Sequence, residues 1–118
     1  MPAQVTLGNV EVTASVVPSM QLGAAATRYR VEPADGRVLV LVAARDGVTD
    51  VPVQVTGEAR DLRGVRQALR FAPVDTGSGI EHLALARADG PDTLRFDLEV
   101  TFADGGRTAL RFNRDIPR

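Results

Sequence analysis

The sequence predicts an all-β fold, an antiparallel immunoglobulin-like β-sandwich of about seven strands with one short helical connection. Three observations predict it. Apolar and polar residues alternate with a period of two along most of the chain, Asp-Gly turn signals interrupt the alternation at intervals of roughly 8 to 12 residues, and only one stretch favours helix. A parallel sheet would need helical crossovers, which the sequence does not offer. The 118 residues, 44% apolar and 25% charged, suit one domain spanning 1–118.

The first strand is set by Val10, Val12, Ala14 and Val16 alternating with Glu11, Thr13 and Ser15. Residues 38–44 form an unbroken apolar run and predict a strand buried on both faces. Val51, Val53 and Val55 alternate with Pro52, Gln54 and Thr56 in a third strand reaching about Arg60. A fourth places Val65, Leu69 and Phe71 inward against Arg66 and Arg70, and a fifth places Leu83 and Leu85 inward against His82 and Arg87. The sixth shows the pattern best: Leu94, Phe96, Leu98, Val100 and Phe102 alternate with Arg95, Asp97, Glu99 and Thr101. Leu110 and Phe112 against Arg111 and Asn113 give the seventh.

Turn chemistry agrees with these strands. Ala-Asp-Gly recurs at 34–36, 88–90 and 103–105, where Asp bonds its own backbone and Gly supplies the positive φ of the exit. Asp104-Gly105-Gly106 is expected to close a hairpin between the last two strands, and Asp61-Leu62-Arg63-Gly64 one between the third and fourth. Helical propensity is confined to residues 22–29, around Ala24-Ala25-Ala26, inside the longest connection, residues 18–36.

Fourteen basic residues against fifteen acidic ones leave a net charge of -1, so nucleic acid is not an expected partner. Every basic residue is Arg. Because these are scattered from Arg28 to Arg118 among Asp and Glu, they read as composition bias rather than as a site for carboxylate or phosphate. Without cysteine there can be no disulfide, thiolate metal site or cysteine nucleophile. No apolar run approaches the roughly 18 residues of a membrane span. The opening Met1-Pro2-Ala3-Gln4 has neither basic nor apolar leader character, which leaves a cytoplasmic protein and a trimmed leader both open.

Asp75-Thr76-Gly77-Ser78-Gly79 matches the loop of aspartic proteases, in which two carboxylates from two copies share a proton and activate water. A homodimeric protease is the alternative reading. Its supporting late apolar-apolar-Gly element is missing from residues 108–116, so an exposed Asx turn is expected instead. His82 stands alone on the outward face of its strand, with no second ligand and no Gly-x-Ser-x-Gly elbow. Asp35, Asp89 and Asp104 are expected at one end of the sandwich and Asp46 and Asp50 lie four apart, but no Asp-x-Asp-x-Asp run gathers ligands for calcium. No cofactor, metal or catalytic residue is expected.

The candidate binding residues are Met20, Leu22, Arg28, Tyr29 and Arg30, because long loops on a β scaffold carry recognition. The same apolar side chains would more simply plug an open end of the sandwich. A sugar-binding module is disfavoured by one Tyr and no Trp.

Val10-Glu11-Val12, the 18–29 connection with its Tyr, Val38-Leu39-Val40, Gly57 with Arg60-Asp61-Leu62, Asp92-Thr93-Leu94-Arg95-Phe96-Asp97 and Leu110-Arg111-Phe112 together resemble a small family of unknown function from Gram-negative bacteria. The resemblance covers nearly the whole chain. It implies a secretory leader, export to the periplasm and an immunoglobulin-like sandwich, and it brings no catalytic residues. The expected function is a non-enzymatic periplasmic binding or accessory domain with a protein partner.

Overall fold

The structure, a computed structural model, describes residues 3–117. Two antiparallel sheets pack face to face. The first runs β1 (Ala3–Leu7), β2 (Val10–Pro18), β3 (Arg37–Asp46), β8 (Ile80–Arg87) and β7 (Ala72–Asp75), with the two-residue β4 (Thr49–Asp50) paired to β3. The second runs β10 (Arg107–Ile116), β9 (Asp92–Phe102), β5 (Val53–Arg60) and β6 (Arg66–Arg70). Leaving out β1 and β4, the order β2-β3-β8-β7 against β10-β9-β5-β6 is the A-B-E-D against G-F-C-C′ order of the immunoglobulin sandwich.

The expected strands form, and besides the two-residue β4 two more join them. In β1, Val5 lies opposite Val12, which extends the opening strand into a hairpin. The other is β7, where Pro73 hides the alternation. Proline removes a ladder donor, and β7 tolerates it by lying at the sheet edge. The third expected strand starts at Val53 rather than Val51. Val65 belongs to the turn before β6 and is 56% exposed, so it does not face inward as expected. Both expected hairpin turns form, with Asp61 Oδ1 accepting from the Arg63 and Val65 amides and Asp104 Oδ1 accepting from the Gly106 amide.

Between the sheets lies one apolar core. Val12, Val38, Val40, Val42, Ala84 and Ala86 meet Val55, Leu69, Leu94, Phe96, Leu98 and Leu110. Phe96 stacks on Phe112 with centroids 5.1 Å apart, and the Arg114 guanidinium lies 4.8 Å from the Phe112 centroid. Gly57 leaves room for this packing, since a Cβ there would sit 2.6 Å from Leu98 Cδ2 and 2.5 Å from the Asp97 carbonyl oxygen.

The expected orientation of β8 is reversed. Ala84, Ala86 and Ala88 face the core, whereas Leu83 and Leu85 lie on the outer face and Leu85 is 47% exposed. His82 consequently points inward, opposite Val42, and is half-buried. Small alanines fit here because Phe96, Leu94 and Leu98 fill the space from the facing sheet.

One corner of the sandwich is joined without a strand pair. β7 pairs only with residues 80–83 of β8, and past that point the Gln67 side chain brackets the backbone of Arg87. Gln67 Nε2 donates to the Arg87 carbonyl at 2.7 Å, and the Arg87 amide donates to Gln67 Oε1 at 2.8 Å.

Candidate binding site in the long connection

The connection leaves β2 at Pro18 and divides into two parts with different duties. A 3-10 turn, Ser19–Gln21, stays at the end of the sandwich, and a short helix, α1 (Ala25–Tyr29), then crosses the outer face of the first sheet. Ser19 is fully buried and clips the two ends of the connection together. Its Oγ donates to the Ala34 carbonyl at 2.9 Å and accepts from the Ala34 amide at 3.0 Å. A second clamp is the Ala88 amide donating to the Gly36 carbonyl at 2.9 Å. A Cβ at Gly36 would come within 2.9 Å of the Ala88 oxygen, so only glycine allows this approach.

Under α1 lies a second apolar cluster of Val31, Leu39 and Leu41, with Leu22, Tyr29 and Leu83 packed against it. This cluster is the reason β3 is apolar on both faces. Tyr29 adds a polar tether, its hydroxyl donating to Glu81 Oε2 at 2.8 Å. Burial, followed by that carboxylate acceptor, raises the Tyr29 pKa above its ordinary value of 10.0. α1 ends at Arg30, whose φ of 56° is left-handed and lets the Arg30 and Val31 amides close on Thr27 and Ala26.

The five candidate residues therefore do not form one site. Leu22 and Tyr29 are committed to the cluster over Leu39 and Leu41, and they cover a sheet face rather than an open end. Arg28 and Arg30 are exposed on α1 and its cap. Met20 is 62% exposed at the sandwich end, on the rim of a cavity of about 350 Å³. Val38, Ala88 and Ile116, almost wholly buried, give that cavity an apolar lining, and Asp35 and Arg37 add charges of both signs. Ser19, Glu81 and Ile116 hold or line the site and were not expected from sequence. The one sequence hint is a serine directly after the strand-ending Pro18, a position where a hydroxyl can replace a lost ladder bond.

The other candidates resolve separately. Asp75 forms an Asx turn, with Oδ1 accepting from the Gly77 amide at 2.9 Å, and its side chain is exposed. That turn rests on Asp50, which accepts from the Ile80 amide at 3.1 Å and pairs with Arg45 Nε at 3.2 Å. Burial lowers the His82 pKa below 6.5, with the Asp50 charge opposing the shift. Asp35 and Asp89 share an end, but Asp104 lies at the other, roughly 30 Å away along β9. Among the described residues no three His, Cys, Asp or Glu side chains converge to hold a metal ion, and no helix is long and apolar enough to cross a membrane.

Fold and cavity together define an immunoglobulin-like β-sandwich domain with an open apolar hollow at one loop end. The chain belongs to the DUF4426 family, a domain of unknown function, whose family model matches residues 4–116. A DUF4426 family protein from Pseudomonas aeruginosa PAO1, known from a crystal structure, superposes with a TM-score of 0.84 at 24% identity, over 98% of this chain and 94% of that one. Copper-bound FetP from uropathogenic Escherichia coli, in a variant form, gives 0.67 at 14% identity over 98% and 90%. FetP as isolated after expression in the periplasm gives 0.61 at 13% identity over 98% and 97%. No curated protein matches the chain.

Proposed function

We propose that this chain is a non-enzymatic accessory domain of the periplasm that binds a protein partner through the end of the sandwich at Met20. The observation that carries the reading is a methionine 62% exposed on a backbone that the buried Ser19 holds in place. An apolar side chain carried on a fixed backbone beside an apolar hollow binds without the loop first being ordered, which lowers the entropic cost of association. The hollow admits one apolar side chain of a partner segment, and Asp35 and Arg37 at its rim are placed to pair with charged flanks of that segment. Periplasmic location is supported by the family resemblance and by the FetP neighbour that was expressed there.

The copper of FetP does not fit the residues present here. The chain has one His and no Cys, and of its two Met residues Met1 lies outside the described residues. Met20 adjoins the Pro18–Val38 rung, whereas His82 pairs with Val42, about 13 Å further along β3.

A photo-crosslinking residue at position 20, compared with one at Val48, tests the binding reading. Val48 is 99% exposed at the opposite end. One discrete adduct from position 20 in a periplasmic extract, absent from position 48 and lost in Ile116→Glu, is expected. Identical adducts from both positions, or none from either, would overturn the reading.

A further inference from the structure

The fold aligns arginines that the sequence scatters. Arg66, Arg60 and Arg95 lie directly opposite one another on β6, β5 and β9, with Asn113 of β10 completing the row. All four are on the outer face of the second sheet, since Leu69, Ala59, Leu94 and Leu110 take the inward positions. Directly opposite residues have Cβ atoms about 4.5–5.5 Å apart, and like charges placed so are destabilising. Where acids face each other on this sheet, at Glu58 and Asp97, each has an arginine of its own: Arg66 lies 3.9 Å from Glu58 and Arg111 lies 3.4 Å from Asp97, and Arg107 likewise lies 3.8 Å from Glu99. Arg60 and Arg95 form no salt bridge among the described residues, yet both line one cavity of about 210 Å³ together with Thr93 and Asn113.

The acids around this cavity are already engaged. Asp61 is held by the Arg63 and Val65 amides and by the Arg63 guanidinium, and these hydrogen bonds, led by that of Val65, lower its pKa. Asp115 accepts from Thr93 Oγ1 at 2.7 Å. We propose that the hollow between Arg60 and Arg95 is a binding site for a small oxyanion, a phosphate or carboxylate group. It would be gripped by two guanidinium forks and by the Asn113 amide. An anion shared by both arginines removes their mutual repulsion and supplies the bidentate geometry that guanidinium favours.

Thermal melts at constant ionic strength, with chloride replaced by inorganic phosphate or by acetate, test the site. Phosphate, acetate or both should raise the Tm of the native sequence, and which of them does so assigns the anion class. The rise should vanish in Arg60→Gln and in Arg95→Gln and persist in Arg70→Gln, which lies on the same face outside the cavity. Without the anion, Arg60→Gln should melt at or above the native Tm, because it relieves a like-charge row. If neither anion raises the native Tm, if the rise survives in both cavity variants, or if Arg60→Gln alone lowers the Tm in chloride, the site is refuted. Arg95→Gln, read by the same criteria, is the independent second test.

Discussion

The outer faces of the two sheets are built from the same backbone pattern and finished in opposite ways. On the second sheet, Glu58, Asp97, Glu99, Arg107 and Arg111 meet water in paired charges. On the first, Leu39, Leu41 and Leu83 are roofed by Leu22, Tyr29 and Val31. A bare face needs polar side chains at every second position, whereas a roofed face is free to be apolar. The first sheet is thus the middle layer of three along β3, and the connection that covers it is part of the hydrophobic structure rather than a loose loop.

The contrast breaks most visibly if side chains are removed from each core in turn. Phe96→Ala, between the sheets, should cost about 3–5 kcal/mol in urea unfolding, and Leu39→Ala, beneath α1, about 2–5 kcal/mol. A Leu39→Ala cost like that of a surface site would mean that the roof does not hold in solution. Ser19→Ala should cost about 1–3 kcal/mol by stranding the Ala34 amide and carbonyl, and hydrogen exchange should quicken across residues 19–34 while β9 stays protected.

The inner side of the first sheet carries a pH dependence of its own. Burial holds the His82 pKa below 6.5, so the fold favours neutral imidazole. Its contribution is complete above pH 6.5 and is lost as the pH falls through the lower folded value. His82→Gln should therefore flatten the acid side of the Tm against pH curve, and curves that stay parallel below pH 6.5 would reject that role. The smallest effect belongs to the bare face: Asp97→Asn should cost about 0.2–1 kcal/mol and less in high salt, because Asp97 and Arg111 are both largely exposed.

This difference also decides what the sequence made legible. Along β9 and β10 one face is polar, so Leu94 to Phe102 and Leu110 reveal their inward side without ambiguity. Along β8, His82-Leu83-Ala84-Leu85-Ala86 has apolar residues on both sides, and bulk points the wrong way because the leucines belong under or beside the roof. The strand β7 was concealed by Pro73 and its shortness. Of the candidate binding residues, sequence grouped Met20, Leu22 and Tyr29 in one connection but could not separate them, since only tertiary packing assigns Met20 to solvent and the others to Leu39 and Leu41. The Arg60–Arg95 row was invisible because strand register, not proximity in sequence, creates it.

The Gln67 amide at the corner of the sandwich has a consequence for how copies of this protein behave in a crowd. By occupying the Arg87 amide and carbonyl, it imitates one residue of a neighbouring strand at the place where β7 has already stopped. A foreign chain seeking to zip onto that margin finds its first foothold taken. One neutral side chain thereby guards this stretch of edge, with no need for a lysine, a residue this protein does not contain.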